Sequence, residues 1–91
     1  MKATKIKMKP GCGNSSSVLE IDEIYISGAD RPGYYKKAVI HDHLKEYPAS
    51  IQVDIYPYPN LEPKLSSNNE KYVRSAPNDW THDNLLNLPR E

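Results

Sequence analysis

A single cysteine, Cys12, stands in the 91 residues, which excludes an intramolecular disulfide, the staple on which small secreted domains commonly depend. The expected compartment is therefore a reducing one, the cytoplasm. Phenylalanine is absent and hydrophobic residues make up 37% of the chain, below the about 45–50% of typical globular domains, so one modest core is expected within one domain, 1–91. Nowhere does an apolar run reach the about 20 residues that span a bilayer, and the lysines at the start lead into no apolar stretch of the signal-peptide kind. Charge of either sign is not in excess: 12 basic and 12 acidic residues cancel, so no global field draws the chain to nucleic acid or an anionic membrane. The four glycines form no phosphate-binding loop.

What is present is a set of short periodic segments. Residues 3–9 alternate, with Thr4, Ile6 and Met8 on one side and Lys5, Lys7 and Lys9 on the other, the period of a half-buried strand. Lys2, Lys5, Lys7 and Lys9 crowd this start, and Glu20, Asp22 and Glu23 offset them if the two segments pair. Residues 11–17 read as a loop. Residues 18–26 are rich in β-branched side chains but change phase between Ile21 and Ile24, which calls for a bulge near Asp22-Glu23. After a second loop over 27–33, the spacing predicts a helix over 34–47, with Tyr35, Val39, Ile40, Leu44 and Tyr47 on adjoining arcs and Pro48 as the stop.

Residues 50–56 alternate again, placing Ile51, Val53 and Ile55 inward. Pro57, Pro59 and Pro63 cannot donate to a ladder, so 57–69 is expected to be an irregular edge or an exposed loop, followed by a short strand over 70–75. The tail holds Trp80, Leu85, Leu86 and Leu88, which belong over the core, because leaving each exposed forgoes about 1.5–3 kcal/mol. The order β-β-α-β-β makes a two-layer α+β domain, a mainly antiparallel sheet of about four strands with one helix on one face.

The C-terminal segment, Lys71-Tyr72-Val73-Arg74-Ser75, then Asn78-Asp79, then Asp83-Asn84-Leu85-Leu86-Asn87-Leu88-Pro89, resembles the ending of small bacterial proteins of the domain-of-unknown-function 3892 family. Where that family carries an Asp-Gly turn, this chain has Asn78-Asp79, which leaves either Asp79 at positive φ or a different turn type. The resemblance implies the fold and assigns no activity. Lys71, Tyr72, Arg74, Asp83, Asn84, Leu85, Leu86 and Leu88 are read as a structural motif, with Asp83 and Asn84 bonding neighbouring backbone and the leucines anchoring the tail.

Candidate chemistry is sparse. His41-Asp42-His43 suggests a metal, but residues two apart on a helix face different sides, and adding His82 and Asp83 does not supply the convergent ligands that zinc needs. A thiol-dependent enzyme using Cys12, which lies between two glycines, is the second alternative, opposed by the lack of a base near it in sequence to activate it. No cofactor or metal is expected, and no catalytic residue is assigned. The lysines of the first strand with Tyr25, Tyr34, Tyr35, Tyr56, Tyr58 and Tyr72 form the alternative of a single-stranded nucleic-acid face, opposed by the neutral net charge. Tyr56-Pro57-Tyr58-Pro59-Asn60-Leu61 reads either as an extended docking segment or as a stiff loop guarding a sheet edge. Tyr56, Tyr58, Asn60 and Leu61 are the candidate partner surface. The sequence therefore predicts a cytoplasmic bacterial or phage-encoded accessory protein that is not an enzyme, a monomer or weak dimer acting through a protein partner rather than nucleic acid or membrane.

Overall fold

A computed structural model describes residues 1–76 and 84–91. The expectations placed on Asn78, Asp79, Trp80, His82 and Asp83 concern residues outside that description. Strands β1 (Lys2–Met8), β2 (Ile21–Ser27), β3 (Gly33–Lys36) and β4 (Gln52–Val53) form a sheet in the order β3-β2-β1-β4. β1 pairs antiparallel with β2 and parallel with β4, and β2 pairs antiparallel with β3. Strands β5 (Leu61–Leu65) and β6 (Lys71–Ser75) form a separate antiparallel hairpin, and helix α1 (Lys37–Glu46) packs against that hairpin and the inner side of β2 and β3. The expected α+β architecture is present, with one helix among the described residues and a mixed sheet.

The inner sheet face is aliphatic: Ala3, Ile6 and Met8 from β1, Ile21, Ile24 and Ile26 from β2, and Val53 from β4 are all buried. On β1 the expected phase is corrected at one position. A register irregularity between Ala3 and Lys5 turns Ala3 inward and leaves Thr4 half-buried. On β2 the extra residue falls at Asp22, because Glu23 pairs with Lys7 while Ile21 pairs with Met8. That bulge brings three isoleucines of uneven spacing onto one face. Between these strands, Lys9-Pro10-Gly11-Cys12 closes a turn through Cys12 N–H to the Lys9 carbonyl at 2.9 Å, with Gly11 at φ 80°. Proline then glycine at the two central positions is what a type II turn demands.

The helix begins at Lys37, not at Tyr34, because Gly33–Lys36 is drawn into the sheet as β3, with Tyr34 opposite Tyr25 and Tyr35 opposite Ile24. Its buried stripe is Lys37, Ile40, His41 and Leu44, the i, i+3, i+4, i+7 pattern of an amphipathic face. Val39 and Tyr47, expected inward, are each 55% exposed. Tyr47 caps the helix, its N–H donating to the His43 carbonyl at 2.8 Å, and Pro48 follows.

Two further corrections concern the middle of the chain. The strand expected over 50–56 is reduced to Gln52–Val53, although Ile51 and Val53 are buried as foreseen. Residues 61–65, expected to be irregular, form β5, where Pro63 sits opposite Val73. β5 pairs in its sheet only with β6, so a residue lacking N–H is tolerated there. Hydrogen bonds from Val53 N–H to the Pro59 carbonyl and from Leu61 N–H to the Ile51 carbonyl, both 2.9 Å, connect β4 to the start of β5.

The tail closes the core. Leu85 and Leu88 are buried and Leu86 is half-buried. Pro89 and Glu91 bracket Ile6, whose N–H donates to the Pro89 carbonyl at 2.9 Å and whose carbonyl accepts from Glu91 N–H at 3.1 Å. Arg90 donates to the carbonyls of Gly13, Ser15 and Leu86 at 2.8–3.1 Å, fastening the tail to the loop after β1. Asn84, expected to bond neighbouring backbone through its side chain, is fully buried with neither amide atom partnered among the described residues, and its own N–H donates to Ser75 Oγ at 3.3 Å.

Candidate functional site

With helix and hairpin on the inner side and the end of the tail paired beside β1 at Ile6, the outer face of the four-stranded sheet is exposed to half-buried, and strand alternation fixes what it displays. Lys5 of β1 stands opposite Tyr25 of β2, and Tyr25 opposite Tyr34 of β3; alongside run Lys7, Glu23 and Lys36. The Tyr25 and Tyr34 rings meet edge to face at 5.2 Å, Lys5 Nζ lies 5.4 Å from the Tyr25 ring centre and Lys7 Nζ 5.1 Å from that of Tyr34. Cation–π geometry of this kind lets the ammonium stems lie flat over the rings.

Carboxylates neutralise this row. Lys5 pairs with Glu91 at 3.3 Å, Lys7 with Glu23 at 3.9 Å and Lys36 with Asp22 at 3.1 Å. Of the expected offset only Lys7 with Glu23 joins an early lysine to a β2 acid; Asp22 goes to Lys36, Lys9 pairs with Glu70, and Glu91 answers Lys5 from the end of the chain. Tyr34 and Lys5 hold the Glu91 carboxyl below the usual carboxylate range, while burial, then Glu91, pushes the Tyr34 hydroxyl up. Only Lys2 on this face lacks a carboxylate partner among the described residues, and its Nζ lies 4.7 Å from the Tyr58 ring centre.

Tyr58 belongs to the proline-rich segment, and that segment is not extended. Tyr58 N–H donates to the Ile55 carbonyl at 2.7 Å, the Tyr56–Pro57 peptide bond is cis, and Tyr58 itself has φ 60°. A bulky residue in the left-handed region is a true outlier. The resulting corner projects Tyr56 and Tyr58, 73% and 49% exposed, with ring centres 6.1 Å apart in an edge-to-face pair. The other two candidates do not join them: Asn60 is tied through Oδ1 to Gln52 Nε2 at 2.9 Å, and Leu61 is 2% exposed, part of the core.

The remaining sequence candidates lie apart. Tyr35 and Tyr72 are not on the lysine face: Tyr35 donates its hydroxyl to the Arg31 carbonyl, and Tyr72 is on β6. His41 is buried against Asp42, His43 stacks on Tyr47 at 5.1 Å, and no group of metal-ligating side chains forms among the described residues. Cys12 Sγ donates to Glu20 Oε2 at 2.8 Å, and Ser15 Oγ donates to the other oxygen of the same carboxylate. That hydrogen bond to Glu20, with burial, pushes the Cys12 thiol up and so disfavours the nucleophilic thiolate. Of the motif residues, Lys71 pairs with Asp42 at 2.8 Å and Arg74 Nε donates to the Ser75 carbonyl at 3.3 Å.

The lysines and tyrosines were legible from composition and alternation. What sequence reasoning missed was the partnering of those lysines by Glu91, because no local pattern links the last residue of the chain to the first strand.

Among the described residues no helix is long and apolar enough to cross a membrane. No curated protein and no solved structure matches the chain. A family model does match, over residues 4–89, and it spans the lysine-bearing strand, the tyrosine corner and the leucine tail alike. The chain belongs to the family described as Protein of unknown function (DUF3892).

Proposed function

We propose that this chain is a small non-catalytic binding module that docks a protein partner on its tyrosine corner, Tyr56 and Tyr58, with Lys2 and the adjoining outer sheet face as the rim. The observation that carries the reading is the exposure of two adjoining aromatic rings, 73% and 49%, on a corner whose backbone is held at φ 60° at Tyr58. Aromatic side chains are the favoured anchors of protein interfaces, and a strained conformation is kept where the surroundings over-determine it. A protein partner is preferred to nucleic acid because a phosphate chain needs an open cationic groove, whereas Lys5, Lys7 and Lys36 already hold carboxylates. The single thiol, kept protonated beside Glu20, suits the reducing cytoplasm of a bacterial or phage-infected cell.

Quantitative affinity capture from the source cell tests this. The intact chain should retain specific proteins that Tyr56→Ser/Tyr58→Ser loses and that Leu65→Ser, altered at an exposed side chain of the hairpin, keeps. Equal recovery by all three chains overturns the reading. So does low-salt binding of single-stranded DNA or RNA that weakens steeply as salt rises, which is the signature of phosphate contacts.

A further inference from the structure

We draw no further inference here: the strongest candidate, the outer edge of β3 (Gly33–Lys36) at the end of the four-stranded sheet, carries nothing because nothing in the structure shows what covers it.

Discussion

Lys37 Nζ bonds both the Leu19 carbonyl and the Glu70 carboxylate, so one ammonium in the first turn of α1 ties the helix to the turn before β2 and to the residue that leads into β6. Its residue is 8% exposed, while the Glu70 side chain is 40% exposed and also receives Lys9 at 3.1 Å. A lysine on a stripe otherwise made of Ile40, His41 and Leu44 is thus a pin rather than a solvated charge.

Replacing it should be costly. Lys37→Met keeps the stem but deletes two hydrogen bonds made by a charged group, and with the partner partly in water the loss should be about 1–3 kcal/mol. Chemical denaturation checks this, with Lys45→Met, an exposed helix lysine, as the near-neutral control.

Stability should fall in acid. The carboxyls of Glu70, held down by Lys37 then Lys9, of Asp42, held down by Lys71 then His41, and of Glu20, held down by Cys12 then Ser15, all lie below their ordinary range. For a lowered acid the contribution is complete above the unfolded value, about 4 for these groups, and is lost as pH drops through the folded value. The denaturation midpoint should be flat from neutrality to about pH 5 and then decline. A midpoint independent of pH down to about 3 would contradict these pairings.

The Cys12 thiol should alkylate slowly. Because its pKa is raised, mainly by the hydrogen bond to Glu20, its thiolate fraction at neutral pH is below that of a free cysteine, whose value is about 8.5. Iodoacetamide rates followed against pH should show a midpoint above that value, and Glu20→Gln should bring it down and speed the reaction. A rate faster than that of a free thiol would reopen a nucleophilic role. The same shift makes the thiol's contribution to stability fall as pH rises above the ordinary thiol value.

Tyr58→Gly should separate stability from binding. Glycine takes φ 60° at no steric cost, while a bulky residue there costs about 1–2 kcal/mol, which offsets the extra freedom glycine has when unfolded. The variant should therefore unfold within about 1 kcal/mol of the parent yet lose the partner captured by the intact corner. Parallel denaturation and capture measurements decide it.

The tail should act as part of the core. Leu85→Ala removes a side chain with no exposed surface and should cost about 2–5 kcal/mol. Leu65→Ala, at a residue 57% exposed, should cost little, and equal effects of the two would show that the tail is not anchored.

Much of the fold was readable locally. The alternation around Ile6 and Met8, the phase change that became the bulge at Asp22, the stop at Pro48 and the strand carrying Val73 each depend on neighbours in sequence. The failures share a cause. Gly33–Lys36 follows helical spacing but lies beside β2, whose free edge offers hydrogen bonds that a helix start does not. Leu61 looked like part of a surface segment because three prolines surround it, yet its N–H pairs with Ile51 and its side chain fills the core.

By itself, then, the order of residues determined the single long helix, the aliphatic inner face of the first two strands and the exclusion of an intramolecular disulfide, because each is a matter of period, composition or count. Which side chains of α1 are buried, which lysines carry a counter-charge, and how Tyr56 and Tyr58 come to share an exposed corner were decided only by tertiary contact. Burial and ion pairing are set by whatever packs opposite, and here the opposite groups are remote in sequence, Glu91 against Lys5 and Glu70 against Lys37.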